Sequence, residues 1–217
     1  MKIKHLLPAL AMVLAINTAH AAQSIPVAGT VHDPAQMPAG LYTLDPSHAH
    51  AMFYINHMGF SEYVGGFNDI SGQLIFRPDA LENSKLKVTI KTDSIAVNSA
   101  ELIHRLKSPD FFDAAQFPDI TFVSESLTHV SADQGILTGK LTMHGITQPV
   151  ALKVTFEGGG KNMMTQAQTM GFVATGNLKR SDFGMTNFLP GLGDDVRLDI
   201  SAEFGRVETA PPAQRKP

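Results

Sequence analysis

Residues 196–204 are Val-Arg-Leu-Asp-Ile-Ser-Ala-Glu-Phe, and apolar and polar side chains alternate along the whole stretch. Successive side chains of a β-strand point to opposite faces, so this alternation predicts a strand with one apolar and one wet face. The same period of two recurs over residues 85–91, 137–143 and 150–156. The pattern therefore predicts a protein built mainly from β-sheet.

Counting such runs gives about eight strands, separated by residues that favour turns. The triplet Gly158-Gly159-Gly160 is expected to form one of the hairpin turns. A single stretch near 99–107 has a helical pattern, with Ser99 as the expected N-cap. The strands are expected near residues 41–57, 65–77, 85–95, 119–129, 135–143, 149–158, 169–179 and 194–205.

An even number of strands lets the last strand of an up-and-down sheet pair antiparallel with the first, which removes both exposed edges. The expected fold class is therefore all-β, an eight-stranded antiparallel up-and-down barrel with one short helix near 99–107. A barrel of about eight strands is wide enough either to be filled by its own side chains or to hold one slim ligand.

The N-terminal residues have the pattern of a secretory signal peptide. Lys2 and Lys4 precede an apolar stretch over 6–16, and Ala19-His20-Ala21 provides a small-x-small cleavage site. The apolar stretch is too short to span a bilayer as a helix. We therefore expect a cleaved signal peptide over 1–21 and export to the periplasm.

The rest of the chain is expected to contain one domain. Residues 22–38 are rich in Pro, Ala and Gly and predict a flexible N-terminal segment, while 39–205 form the barrel and 206–217 a disordered tail. Loss of the signal peptide would change the formal net charge from −3 to −5. A mildly acidic chain has no electrostatic reason to bind nucleic acid. The absence of Cys excludes disulfides and thiol catalysis.

Four segments of the chain stand out as motifs: Tyr42–His48 (YTLDPSH), Leu106–Asp113 (LKSPDFFD), Gly139–Val150 (GKLTMHGITQPV) and Arg180–Met185 (RSDFGM). Together, and in this order, they resemble the YceI-like family. The resemblance implies a lipocalin-like barrel with an elongated apolar tunnel, a binding protein and not an enzyme. It implies no required cofactor and no stable membrane insertion. The expected ligand is a long-chain apolar molecule, a polyisoprenoid or an isoprenoid-quinone-like lipid, and the sequence leaves a homodimer open.

Aromatic and methionine side chains are the candidates for the tunnel wall, since the chain has 13 Phe and no Trp. Residues 98–118, a long connection that contains the helix, are expected to form a lid or portal over one end of the barrel. The expected ligand-binding residues are Phe53, Ile55, His57, Phe60, Phe67, Phe76, Phe111, Phe112, Phe117, Phe122, Met143, Phe172 and Phe183.

Two alternatives remain open. His48 and His50 share one strand face and could begin a metal site, as a metal-dependent enzyme acting on a bound lipid would need, although no carboxylate motif completes it. A support of the bend at Asp45-Pro46 is the simpler interpretation of His48. A small outer-membrane barrel also fits the alternation, but the aromatic girdles of that class are missing.

The segment Arg180-Ser181-Asp182 suggests catalysis at first sight. No nucleophile elbow accompanies it, so we expect a structural turn. Arg180 is expected to pair with a carboxylate such as Asp182 or Asp110, and Gly184 to take a backbone conformation that other residues resist. We expect no catalytic and no metal-binding residues.

The signal peptide gives a first testable prediction. The chain recovered from the periplasmic fraction of a Gram-negative host should begin at Ala22, because the peptidase reads the small residues at 19 and 21. Intact-mass measurement would show this. A periplasmic chain that keeps residues 1–21 would contradict it.

Overall fold

The computed structural model describes residues 29–208, which form a β-structure with one α-helix. The strands are β1 (Gly40–His57), β2 (Ser61–Phe67), β3 (Ile70–Phe76), β4 (Lys85–Lys91), β5 (Ile95–Ala96), β6 (Asp119–His129), β7 (Gln134–Met143), β8 (Ile146–Lys161), β9 (Gln168–Lys179) and β10 (Leu192–Arg206). The helix α1 spans Ala100–Lys107. The signal peptide expected over 1–21 lies outside the described residues, as does most of the expected tail.

All neighbouring strands are antiparallel, and the sheet closes on itself because β10 pairs with β1. β2 and β3 are two parts of one bent strand. β3 pairs with the first part of β1, and β2 pairs with its second part. β4 and β5 pair with β3 and β2 in the same way. The ring thus has eight positions, and the predicted eight-stranded up-and-down barrel is confirmed.

Different connections stand at the two ends of the barrel. The mouth end consists of the connections 77–84, 130–133 and 162–167 together with the incoming segment 29–39. The helix end consists of the turn 58–60 and the connections 97–118, 144–145 and 180–191. No helix among residues 29–208 is long and apolar enough to cross a membrane.

Buried side chains form three clusters along the barrel. The mouth-end cluster contains Met37, Tyr42, Leu44, Ile70, Leu74, Phe76, Phe156, Met170, Ala202 and Phe204. The middle cluster contains Ile120, Phe122, Met143, Val150, Leu152, Ala174, Phe183 and Met185. The helix-end cluster contains Ile95, Leu106 and Phe111.

The helix α1 begins where the sequence predicts, because the Ser99 hydroxyl accepts a hydrogen bond from the Leu102 N–H at 3.2 Å. Leu106 is its buried residue and joins the helix-end cluster. The N–H groups of Phe112 and Ala114 donate to the carbonyls of Leu106 and Lys107. The chain that follows α1 therefore folds back onto the last turn of this helix.

Two expectations about backbone differ from the structure. Gly158, Gly159 and Gly160 lie inside β8, and the turn that follows β8 is 162–167. The described part of the segment 22–38 is packed: Val31 pairs with Gly159, and Met37 is 3% exposed. The two differences have one cause. A Cβ on Gly160 would stand 2.6 Å from the Gly29 carbonyl oxygen, so the glycines admit the incoming segment.

The strand β1 bulges outward after Leu44, where its register with β10 shifts. Asp45 organises the bulge: its carboxylate accepts hydrogen bonds from the Ser47 N–H and from the His48 Nδ1–H, both at 2.9 Å. The sequence-based interpretation of His48 as a support of this bend is confirmed. The hydrogen bond to Asp45, with the charge of Glu203, raises the pKa of His48, and the bond with His48 lowers the pKa of Asp45.

The bulge predicts a measurable titration. The imidazole of His48 should titrate above the ordinary value of about 6.5, and Asp45→Asn should lower its pKa because the acceptor loses its charge. The raised pKa of His48 contributes stability that is fully present below about pH 6.5 and is lost as pH rises through the pKa of folded His48. The Asp45 contribution is present above about pH 4 and is lost in acid.

Nuclear magnetic resonance titration of the His48 ring measures this pKa. Asp119→Asn, on the distant strand β6, is the matched control and should leave the titration of His48 unchanged. An unchanged titration in Asp45→Asn would contradict the assignment.

Candidate functional site

The barrel is hollow between its middle and its mouth end. The cavity has a volume of about 230 Å³, many times the ~10–15 Å³ needed for one water. Its wall runs along β10 from Leu198 to Phe204 and along β8 from Val150 to Phe156. Since a strand rises about 3.3 Å per residue, the cavity extends roughly 20 Å along the strands.

Inward positions of nearly every strand supply an apolar wall. The alternating residues Leu86, Val88 and Ile90 of β4 all line the cavity, as do Leu137 and Leu141 of β7. Two rings in contact, Phe156 and Phe172, have centroids 5.4 Å apart. The period of two that predicts the strands therefore also places the cavity wall.

The deep wall of the cavity is almost entirely apolar. Among residues 29–208, the buried polar or charged side chains are Thr92, Ser124 and Arg180, and no buried side-chain N or O lacks a hydrogen-bond partner. Of these three, Ser124 lines the cavity, and its hydroxyl accepts from the Leu86 N–H at 2.8 Å. A molecule inside the cavity must therefore be held by apolar contact.

Polar side chains collect where the cavity reaches the mouth end. His129 is exposed, Asp133 and Gln134 are half-buried, and all three belong to the lining. Leu81 of the connection 77–84 and Pro34 of the incoming segment also line the cavity at this end. The site is thus an apolar pocket with a polar rim, which suits a molecule with a long apolar tail and a polar head.

Three of the predicted ligand-binding residues line this cavity: Phe76, Phe122 and Phe172. Five others pack in or against the middle and helix-end clusters instead, namely Phe53, Phe67, Phe112, Met143 and Phe183. Phe111 belongs to the helix-end cluster, and Ile55 is buried near that end. These positions bring the aromatic candidates together at the helix end and leave the cavity wall mainly aliphatic.

The remaining predicted ligand-binding residues are exposed or half-buried and lie away from the cavity. Phe60 is 84% exposed on the turn between β1 and β2. The half-buried His57 stands 6.4 Å from the Tyr63 ring, and Phe117 packs edge-on against His144 at 5.2 Å. None of the three borders the cavity. A role of these residues in ligand binding stays a prediction.

The residues 29–208 contain no group of three or more His, Asp or Glu side chains placed to hold a metal ion. His48 is engaged with Asp45 at the bulge. His50 is an exposed residue that borders the cavity where β1 leaves its neighbour β3. The two imidazoles therefore have different surroundings.

The segment after β9 is a structural turn, but Arg180 does not pair with a carboxylate as expected. The residue is 4% exposed, and its guanidinium donates to the carbonyls of Gly193, Met185 and Leu192 at 2.7, 2.7 and 3.1 Å. Burial lowers the pKa of Arg180, and the charge of Asp194 opposes this. The planar guanidinium can donate to three converging carbonyls at once. These hydrogen bonds hold the connection 180–191 to the barrel.

Asp194 and Gly184 complete the turn. The carboxylate of Asp194 accepts from the N–H and the hydroxyl of Ser181, both at 2.9 Å. Burial acts to raise the pKa of Asp194, but these hydrogen bonds and the nearby cations outweigh it and lower the pKa. Gly184 has φ +79°, so the expectation of an unusual backbone there is confirmed.

The comparisons with known proteins agree with this architecture. The family model of the YceI-like domain matches residues 42–204. A "UPF0312 protein" of Pseudomonas fluorescens is 39% identical over 176 residues, which cover 77% of this chain and 88% of the relative. A "UPF0312 protein" of Pseudomonas putida is 38% identical over 171 residues, with the same shares.

Solved structures share the fold. The Campylobacter jejuni YCEI protein has a TM-score of 0.64 at 32% identity, covering 71% of this chain and 91% of its own. Burkholderia cenocepacia BcnA has a TM-score of 0.66 at 24% identity, covering 74% and 98%. A polyisoprenoid binding domain from Saccharophagus degradans has a TM-score of 0.58 at 12% identity, covering 78% and 100%.

The buried guanidinium gives a prediction about stability. Arg180→Ala should lower the free energy of unfolding by about 3 kcal/mol, because it leaves buried carbonyls without donors. Arg77→Ala is the matched control: Arg77 is an exposed arginine on the connection after β3, and its loss should cost less than about 1 kcal/mol. Urea denaturation measures both values. Equal losses in the two variants would contradict the structural role of Arg180.

Proposed function

The chain belongs to the YceI-like domain family, and on that premise we propose that it is an exported, water-soluble protein that holds one long-chain apolar lipid in the barrel cavity. The observation that carries the proposal is the apolar hollow between β1, β3, β4 and β6 to β10. The signal-peptide pattern over 1–21 supports export to the periplasm.

The chemistry of the wall supports an isoprenoid-like tail. Such a tail has nothing to hydrogen-bond, and the wall around it is almost entirely apolar. Burying several hundred Å² of tail at about 25 cal/mol per Å² would contribute on the order of 10 kcal/mol before ordering costs. The solved Saccharophagus degradans domain of the same fold is described as polyisoprenoid binding. We propose a polyisoprenoid or an isoprenoid-quinone-like lipid.

The outer wall supports a protein surrounded by water. Outward side chains form ion pairs between neighbouring strands, for example Lys140 with Glu125 at 3.0 Å and Lys179 with Asp195 at 2.7 Å. Charges at the middle of a lipid-facing wall are costly. We therefore favour a water-soluble carrier over the outer-membrane barrel.

A binding role is favoured over catalysis by the composition of the deep wall. The buried polar residue in it, Ser124, uses its hydroxyl to hold the Leu86 backbone at the bulge of β6. Acid–base chemistry on a bound lipid would require an ionisable group within hydrogen-bond reach of the reacting atoms. His129 and Asp133 lie at the rim, where we propose that they contact the head group.

The proposal predicts co-purification of lipid. Protein from its native compartment, extracted with organic solvent, should release a long-chain lipid in near-stoichiometric amount, as mass spectrometry can measure. Protein that releases none, and takes up none after delipidation, would contradict the proposed function.

A cavity-filling variant sharpens this test. Ala174 is 8% exposed and lines the cavity, so Ala174→Phe should occupy ligand space and weaken binding by more than about tenfold. Ala151 is exposed on the adjacent strand β8, and Ala151→Phe is the matched control with an unchanged lipid content expected. Thermal unfolding of both variants checks that each remains folded.

A further inference from the structure

We propose that Phe112, on the connection after α1, sets the length of the longest hydrocarbon chain that the cavity admits. This inference rests on the proposed lipid-binding function and adds a residue that determines ligand length. It concerns the inner end of the cavity, where side chains carried by loops rather than by strands close the barrel.

The cavity ends within the middle cluster. Phe122, Val150, Leu152 and Ala174 of that cluster line it, whereas its other members, Ile120, Met143, Phe183 and Met185, lie beyond and do not. Of these four, Phe183 and Met185 belong to the connection 180–191 and not to a strand. The inner end of the cavity is therefore closed by a plug that includes side chains from loops.

Two aromatic residues join the plug to the helix-end cluster. Phe67 and Phe112 are the partly buried side chains that pack against both the middle and the helix-end clusters of the described chain. Their rings meet edge to face, with centroids 5.6 Å apart and planes at 89°. This pair marks the boundary that a longer chain would have to pass on its way to the helix end.

Phe112 is the more easily removed member of the pair. Phe67 lies on β2, where its backbone is paired with β1 and β5. Phe112 lies on a loop, and its N–H donates to the Leu106 carbonyl at 3.0 Å. Its side chain is half-buried, so its truncation removes a ring without removing any backbone pairing between strands.

The space beyond the pair is also apolar. Phe53, Val97 and Leu102 pack there against the helix-end cluster, and none of the three is fully buried. A hydrocarbon chain that passed Phe112 would thus meet the same kind of surface as in the cavity. Each further methylene group buried there contributes about 0.8 kcal/mol, so two to three of them change affinity by more than tenfold.

The neighbouring ring provides the matched control. Phe111 is 6% exposed, belongs to the helix-end cluster and stacks on Phe188 with centroids 6.2 Å apart. It has the same residue type on the same loop but does not pack against the middle cluster. Its truncation should loosen the loop without opening the boundary between the two clusters.

The experiment uses the delipidated full-length mature chain and an equimolar mixture of linear polyprenols of graded length. Native mass spectrometry reads the bound lengths. In Phe112→Ala the ratio of long to short bound chains should rise about tenfold over the unsubstituted protein. Phe111→Ala should keep the original ratio, and Phe112→Ala/Met185→Ala should shift the ratio further.

The outcomes separate the two proposals. An unsubstituted protein that binds no polyprenol overturns the lipid-binding function itself. A protein that binds, with the same length profile in Phe112→Ala or with equal shifts in Phe112→Ala and Phe111→Ala, overturns the role of Phe112 alone. If Phe112→Ala does not fold, Phe112→Leu keeps a smaller apolar side chain there, and an unshifted profile in that variant is the overturning result.

Discussion

Closure of the sheet between β1 and β10 is the constraint on which the rest of the structure depends. Once the last strand pairs with the first, each strand must present one of its two alternating faces to a common interior. The apolar face turns inward and the charged face turns to water. Closure also removes the long edges that an open sheet of this size would expose. Closure of the sheet thus creates an interior whichever apolar residues line it.

A closed interior can be filled from the strands or from the loops, and this barrel uses both at different levels. At the helix end, Phe112, Phe183 and Met185 reach inward from two connections and complete the packing. At the mouth end, Met37 of the incoming segment packs on Phe156 and its neighbours at one side. Between these closures the aliphatic side chains of the strands are too short to meet, and the cavity remains.

Much of the fold follows from the sequence because the pattern that specifies it is local. The strand β6 has the predicted bounds 119–129, and Ser99 caps α1 as expected. The predicted turn at the three glycines of β8 was wrong, because a run of Gly is compatible either with a turn or with the close approach of another backbone segment. Val31 is more than a hundred residues away in sequence, so its pairing with Gly159 leaves no local signal. The hydrogen-bond partners of Arg180 are backbone carbonyls. Every residue type has a backbone carbonyl, so the sequence does not indicate which of them Arg180 contacts.

The site is harder to predict than the fold, since residue type and position give different answers. Aromatic residues suggest a tunnel wall, yet Phe53 and Phe67 lie toward the helix end, while Leu86 and Val88 line the cavity. The alternation that predicts β4 already places Leu86 and Val88 on its inward face. Selecting inward positions rather than aromatic residue types would therefore have identified both as lining residues. How far Phe112 reaches into the barrel depends on the hydrogen bonds between its loop and α1, which no periodicity encodes.

An apolar cavity of this kind links ligand choice to shape and to stability. Wall atoms that face an empty space lack van der Waals partners, and a bound chain supplies them. A ligand that binds the folded state alone stabilises that state by mass action. Because the deep wall is almost entirely apolar, it can distinguish two lipid tails by length and girth alone. Chemical recognition is left to the rim around His129 and Asp133, and the tail and the head of a ligand are thus selected at opposite ends of one cavity.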